Sequence, residues 1–207
     1  MNYYNEWDRD AAAWLQGLMD EKLIPYGHID TRSITEVSAA DVAGYTQCHW
    51  FAGIGGWPEA LRLAEWPADR PVWTMSCPCQ PFSGAGLGLG QADERHLWPH
   101  CLRLIEECRP VVVFGEQVAN AIGHGWLDGI QTDLEEEDYA CGSVVLGAHS
   151  AGAPHIRQRL YWMAYAGHEQ AGRPSGAREA EGRRAFGDAS RCGIGSGLAD
   201  ATPDGRR

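Results

Sequence analysis

A cysteine between two prolines is the first residue whose setting suggests chemistry. Cys79 lies between Pro78 and Pro81, directly after a predicted strand that ends near residue 75. Proline fixes the backbone and excludes a helix or a central strand around this position. Because ligands and catalysis collect at the carboxyl ends of parallel strands, Cys79 is a candidate nucleophile. The alternative is an inert buried thiol, and Cys77, which is still on the strand, suits that role better.

Glycines follow an earlier predicted strand and precede a predicted helix. Glycine lets the backbone turn sharply and approach a ligand, and a helix N-terminus offers free N–H groups. The stretch lacks the full dinucleotide fingerprint, and a simple tight turn is the alternative. The candidate cofactor-binding residues here are Phe51, Ala52, Gly53, Ile54, Gly55, Gly56 and Trp57.

A carboxylic acid and two arginines follow later strands. Glu116 is predicted to come just past a buried strand, where burial could raise its pKa and make it a general acid. Arg157 and Arg159 alternate as the chain enters another strand, so their side chains point to one side and suit phosphate or base contacts. The alternatives are a solvated loop glutamate and an ordinary surface arginine pair.

These motifs, in this order, resemble the DNA cytosine-C5 methyltransferase family, and the resemblance runs from about Cys48 to Ala166. Residues 51–57 are similar to the family's S-adenosylmethionine motif, and residues 78–80 to its Pro-Cys-Gln nucleophile motif. Residues 116–118 are similar to its Glu-Asn-Val motif, and residues 155–159 to its Gln-x-Arg-x-Arg motif. Gln117 stands where the family usually has Asn, and His155 where it usually has Gln, which puts fine geometry in doubt.

The resemblance implies a mechanism in which the Cys79 thiolate adds to C6 of a flipped-out cytosine while Glu116 protonates N3. Arg159 would contact the base and Arg157 the nucleic-acid backbone. Residues 84–90 would belong to a loop that closes over the base, and residues 93–98 fit the family segment after that loop. The same resemblance makes Pro78 and Leu97 cofactor contacts, and it makes substrate contacts of Gln80, Ser83, Gln117 and Val118.

The chemistry of cytosine accounts for these residue types independently. C5 is a poor nucleophile until a thiolate adds at C6, and protonation of N3 makes that addition easier. The base must also leave the stack to be reached, which calls for a closing loop and cationic anchors.

The order of the motifs departs from the family. The short stretch between Trp57 and Cys79 cannot hold the two strands that normally carry the ribose and adenine contacts. The start of the chain resembles those strands, so the resemblance implies that Glu6 binds ribose hydroxyls and Trp7 stacks on adenine. It also implies that Asp30 accepts from the adenine amino group. The alternative is that Glu6 and Trp7 cap and pack the first helix; we favour the permuted order.

Strands alternate with helices along the chain, which predicts an α/β fold with a mostly parallel sheet. The resemblance implies the Rossmann-like fold of S-adenosylmethionine-dependent methyltransferases, with permuted order. Residues 1–166 are predicted to form the catalytic domain. Residues 167–207 contain few large apolar side chains, which predicts a low-complexity, disordered tail. The predicted helices are 8–22, 58–64, 97–108 and 126–137, and the predicted strands are 28–34, 46–51, 71–75, 111–114, 141–146 and 160–164.

The net charge of −11, with Lys22 as the one lysine, is unlike a complete DNA-binding surface. No target-recognition domain or final family motif follows residue 167. We therefore interpret the chain as a truncated piece, a natural fragment or half of a split enzyme whose second chain supplies DNA recognition. DNA is the expected substrate. A non-catalytic module that binds cofactor or a partner, and an RNA cytosine-C5 methyltransferase, are the alternatives.

The remaining composition excludes other classes of protein. Seven cysteines without paired knuckles disfavour both a secreted disulfide framework and structural zinc, so no metal is expected. A zinc cytidine deaminase needs a second cysteine where Phe82 stands, and it needs a His-x-Glu motif that the sequence lacks. No apolar run approaches the roughly 20 residues that cross a membrane, and no signal peptide is recognisable. We expect a cytoplasmic protein of a bacterium or a phage-infected cell, with its role in restriction, protection or regulation left open.

Overall fold

β-Strands and helices alternate in the computed structural model, which describes residues 1–78 and 97–167. Most predicted elements are present with bounds shifted by a few residues. The strands are β1 (Asn2–Asn5), β2 (Gly27–Asp30), β3 (Gln47–Trp50), β4 (Val72–Met75), β5 (Val112–Val118), β6 (Tyr139–Gly147) and β7 (Gln158–Ala166). The helices are α1 (Arg9–Asp20), α2 (Ala39–Val42), α3 (Gly56–Leu63), α4 (Trp98–Cys108) and α5 (Trp126–Glu136), with short 3₁₀ turns at Ile34–Glu36, Ala119–His124 and Ala148–Ala151.

The seven strands within the described ranges form one sheet in the order β2-β1-β3-β4-β5-β7-β6. Strands β1 to β5 run parallel, whereas β7 is antiparallel to both β5 and β6. The prediction of an α/β fold with a mostly parallel sheet is confirmed. Because β1 lies between β2 and β3, the residues after β1 emerge beside the glycine loop that follows β3, as the permuted order requires.

Strand β1 and the short helix α2 were not predicted from the sequence patterns. Tyr3 and Tyr4 are fully buried because the strand lies inside the sheet and is covered on both faces. The polar ends of β1 are satisfied there: the Asn2 amide donates to Gln47 Oε1, and the Asn5 amide donates to the carbonyl of Arg32. Hydrogen bonds of this kind remove the cost of burying amide side chains.

Strand β5 is longer than predicted, and this corrects the position of the candidate acid. The predicted strand ends at residue 114, but β5 continues to Val118 because β7 pairs with it from Val112 to Val118. Glu116 therefore lies within a strand and not in a loop beyond it. Position 115, where β5 pairs with β7, requires glycine, because a Cβ there would overlap the indole of Trp162 on β7.

The apolar core lies on both faces of the sheet. The larger cluster fills the face covered by α2, α4 and α5, and it includes Trp50, Trp73, Met75, Leu104, Ile105, Leu134 and Trp162. A second cluster packs α1 on the other face through Leu15 and Met19. Helix α1 begins at an Asp8 cap whose side chain accepts from the N–H groups of Asp10 and Ala11. No helix in the described ranges is long and apolar enough to span a membrane.

Candidate active site

The glycine loop after β3 is tied to the residue that follows β1. Glu6 Oε2 accepts the Gly53 N–H at 2.7 Å, and Glu6 Oε1 accepts the Asp8 N–H at 2.9 Å. Gly53 and Gly55 have φ values of +55° and +81°, in the left-handed region that favours glycine. Glu6 thus fixes the turn through its backbone and keeps further acceptor capacity on each oxygen for hydroxyl donors.

Two large apolar side chains beside this loop are left in the open. Trp7 and Ile54 are each 75% exposed. Trp7 therefore does not pack against α1, and the helix cap is Asp8, so the structure does not support the alternative that Trp7 packs and Glu6 caps the first helix. An exposed indole next to a polar carboxylate suits a ligand that carries both a flat ring and hydroxyl groups.

The carboxyl group of Asp30 is already used inside the protein. Its Oδ2 accepts the Tyr3 hydroxyl at 2.8 Å, and Arg32 binds it through the backbone N–H and the guanidinium, with Nη2 at 2.6 Å from Oδ2. Burial alone would raise the pKa of Asp30, but these hydrogen bonds and the Arg32 charge lower it overall. The geometry does not support the expected adenine contact, because the acceptor sites of this carboxylate are taken.

The end of β4 carries the described part of the nucleophile motif. Trp57 Nε1 donates to Ser76 Oγ at 2.9 Å, and Gln117 Nε2 donates to the Cys77 carbonyl at 3.4 Å. The Cys77 sulfur is buried 3.3 Å from that of Cys101 on α4, as expected of an inert core thiol. Pro78, predicted to contact the cofactor, is exposed at the end of this segment. The predicted residues Cys79, Gln80 and Ser83 lie outside the described residues.

Glu116 and Arg159 form an ion pair across β5 and β7. Arg159 Nε lies 2.6 Å from Glu116 Oε1, and both side chains are mostly buried. Burial raises the pKa of Glu116, while the charges of Arg159 and Arg157 pull it down. Arg157 precedes β7 with an unusual φ of +29°. This arrangement gives a carboxyl group that is protonated more readily than a surface glutamate and is held in place by a cation.

Three other residues that were predicted to contact the cofactor or the substrate, Gln117, Val118 and Leu97, are used inside the protein. Gln117 is buried, and its side chain accepts from the Val118 N–H besides holding the Cys77 carbonyl. Val118 packs against the larger core cluster, and so does Leu97, the N-cap residue just before α4. The structure therefore gives these three residues supporting positions and no direct position on the cavity wall.

One open cavity of about 410 Å³ brings three of the motifs together. Glu116, Arg157 and Arg159 line it, and so does Ser76 at the end of β4. Tyr161 also lines it and was missed in the sequence; its signal is the two-residue period that places it on the face of Arg159. The remaining lining residues are Phe51, Ala52, Gly53, Ile54, Gly56, Trp57 and Ala60. Within the part of the chain that the structure describes, no cluster of three or more His, Cys, Asp or Glu could hold a metal ion.

Comparison with known proteins identifies the family. The fold is the α/β fold of S-adenosylmethionine-dependent methyltransferases, and a solved structure of Spodoptera frugiperda DNMT2 superimposes with a TM-score of 0.53 at 16% identity, covering 80% of this chain and 42% of that one. The family model for C-5 cytosine-specific DNA methylase matches residues 51–182. The chain belongs to the C-5 cytosine-specific DNA methylase family.

Curated relatives agree with this assignment. The chain is 33% identical over 101 residues to the type II methyltransferase M.HhaI of Haemophilus parahaemolyticus, covering 47% of this chain and 31% of that protein. It is 32% identical over 139 residues to M.NlaX of Neisseria lactamica, covering 65% of this chain and 44% of that protein. The chain thus spans less than half the length of these relatives. The family match continues to residue 182, past the domain boundary predicted at 166.

Proposed function

We propose that this chain is the catalytic part of an enzyme that transfers a methyl group from S-adenosylmethionine to C5 of cytosine in DNA. The observation that carries the proposal is the single cavity shared by the glycine loop, the end of the nucleophile strand and the Glu116–Arg159 pair. A methyl donor, a nucleophile and an acid must all reach one pyrimidine ring, and this cavity is where their supports meet.

The residues around the glycine loop fit the cofactor. An added Cβ at Gly56 would meet no atom within 4 Å, so the loop borders open space that a ligand can fill. The backbone of residues 52–56 and the Glu6 carboxylate would hold the polar part of S-adenosylmethionine, and Trp7 would stack on its adenine. When bound, the cofactor supplies an electrophilic methyl group.

The protein's own groups then activate the cytosine. The Cys79 thiolate, one residue beyond Pro78, forms a bond to C6, and the electron pair of the C5–C6 double bond becomes available at C5. The protonated Glu116 carboxyl donates to N3, which offsets the negative charge that develops on the ring. C5 takes the methyl group, a base removes the C5 proton, and the C6–S bond breaks to regenerate the thiolate.

The arginines have separate tasks in this proposal. Arg159 holds the Glu116 carboxyl and reaches the base, while the more exposed Arg157 contacts the nucleic-acid backbone. The net charge of −11 makes the rest of the chain poorly suited to phosphate contacts. We propose that efficient DNA binding depends on a recognition segment other than residues 1–167.

Release of tritium from DNA labelled at cytosine C5 tests the proposed function. We expect S-adenosylmethionine-dependent release that Cys79→Ser lowers at least about 10³-fold, since the nucleophile is lost. Cys77→Ala is the matched control: it removes a neighbouring thiol that contacts Cys101, so it should cost about 1 kcal/mol of stability and leave release intact. The covalent mechanism would be overturned if both variants lost tritium release equally, or if Cys79→Ser released tritium as fast as the unmodified chain.

The competing functions give different results in the same experiments. A module that only binds cofactor would bind S-adenosylmethionine in calorimetry but release no tritium, even when a family recognition segment is added as a separate polypeptide. An RNA methyltransferase would release tritium from labelled RNA in preference to labelled DNA. The DNA substrate is rejected in either case.

A further inference from the structure

Trp57 reaches from the first turn of α3 to residues on or next to three strands. Its indole N–H donates to Ser76 at the end of β4. Its ring stacks on Phe114 of β5, with centroids 6.2 Å apart and planes 24° apart. It also meets the edge of Tyr161 on β7, with centroids 6.3 Å apart. One side chain therefore contacts the nucleophile strand, the strand of the acid and the strand of its arginine partner.

The two rings that Trp57 contacts belong to neighbours of Glu116 in the sheet. Phe114 lies two residues before Glu116 on the same face of β5, because side chains alternate along a strand. Tyr161 is the cross-strand partner of Glu116 in the antiparallel pair β5–β7. Trp57, Glu116 and Tyr161 line one cavity. The indole thus forms part of the wall of the cavity that Glu116 lines.

The indole N–H of Trp57 is used in the hydrogen bond to Ser76. Membership of the glycine loop predicts a cofactor contact for Trp57, yet its side chain contacts Ser76 after β4, Phe114 on β5 and Tyr161 on β7. The hydrogen bond fixes the end of β4 relative to β5. That end leads through Cys77 and Pro78 into the nucleophile motif.

We propose that Trp57 is a positioning residue that shields the α3 side of Glu116 from water and sets the spacing between this acid and the end of β4. The catalytic part of this inference rests on the proposed function. The shielding of Glu116 can be measured without turnover.

Carbon-13 NMR of glutamate carboxyls, with the Glu116 signal assigned by Glu116→Gln, tests the shielding. In Trp57→Ala, water reaches the acid, so its titration midpoint should fall towards that of an ordinary glutamate. Trp57→Leu keeps an apolar side chain and should give a smaller fall in the same direction. Trp66→Ala is the control, because Trp66 also packs on Phe114, at 5.8 Å, from outside the cavity; the midpoint should not move. An unchanged midpoint in both Trp57 variants overturns the inference.

Single-turnover methylation tests the spacing. Trp57→Phe and Ser76→Ala each remove one partner of the same hydrogen bond, so each should slow the step about 3- to 10-fold at saturating S-adenosylmethionine. The double variant should be no slower than the slower single variant, and the cofactor Kd should stay unchanged. Multiplying effects, or a raised Kd with a normal rate, would contradict a positioning role. Absence of turnover in the unmodified chain, with a family recognition segment added, would count against the proposed function, while the titration would still decide the shielding.

Discussion

Arg159 Nε lies 2.6 Å from Glu116 Oε1, and the two residues belong to antiparallel neighbours β7 and β5. Two opposing influences act on the acid: burial raises the pKa of Glu116, and the cations lower it. The protonated form of Glu116 is the active one in the proposed mechanism. Activity should therefore be lost as the pH rises through the pKa of this group.

Removal of the Arg159 cation should move the alkaline limb of the pH–rate profile. In Arg159→Gln the effect of burial is opposed less, so the pKa of Glu116 should rise and the alkaline limb of the single-turnover rate should shift to higher pH. The maximum rate should fall about 10- to 100-fold, because a base contact is lost. Arg62→Gln on α3, which changes an exposed pair with Glu59, should alter neither quantity. A shift to lower pH would contradict the assignment of Glu116 as the acid.

Trp7→Ala should weaken cofactor binding without destabilising the fold. The side chain is 75% exposed, so little packing is lost, but a stacking surface for adenine disappears. We expect a rise in the S-adenosylmethionine Kd of about tenfold in calorimetry, with a change in unfolding free energy below about 0.5 kcal/mol. Trp14→Ala is the matched control, since Trp14 is also exposed (58%) but lies on α1. Equal affinities of both variants would remove Trp7 from the proposed pocket.

Asp30→Asn should act mainly on stability. The substitution removes the charge that holds Arg32 and weakens the contact with the Tyr3 hydroxyl, at a cost of about 1–3 kcal/mol in urea unfolding near neutral pH. The folded pKa of Asp30 is lowered, so its contribution is present above the unfolded pKa and is lost as the pH falls through the folded value. The stability difference between the two proteins should therefore shrink on acidification. A difference that grows at low pH would contradict the ion pair.

Gly115→Ala should prevent normal pairing of β5 with β7. The new methyl group would overlap Trp162, and the clash falls on two strands that cannot separate without losing the Glu116–Arg159 pair. We expect a loss of at least about 3 kcal/mol in thermal or urea unfolding. Gly142→Ala on β6 is the control, because its Cβ would meet nothing within 4 Å. If the two variants were equally stable, Trp162 would have to pack less tightly on residue 115 than described.

The sequence carries enough information to predict the sheet class and the motifs, but not the contacts that cross the sheet. The extent of β5 depends on pairing with β7, which lies more than 40 residues further along the chain. Strand β1 was not predicted because four residues, Asn-Tyr-Tyr-Asn, show no alternation of polar and apolar side chains when both faces are buried.

The site shows the same division. The types of the acid and of the arginines could be read from local sequence, and their roles stay predictions. The hydrogen bonds between Asp30 and Arg32 are local, because the two residues are only two positions apart, and an Asp-x-Arg spacing is their signal in the sequence. The Trp57–Ser76 hydrogen bond could not be predicted, because it depends on how α3 lies over β4.

Because β1 lies between β2 and β3, residues 2–5 are an interior part of the sheet. Deletion of residues 1–5 would not trim an edge; it would take a strand from the interior, leaving β2 without a neighbour and β3 with an open flank. Residues 2–5 therefore join strand β2 to the other five strands of the sheet.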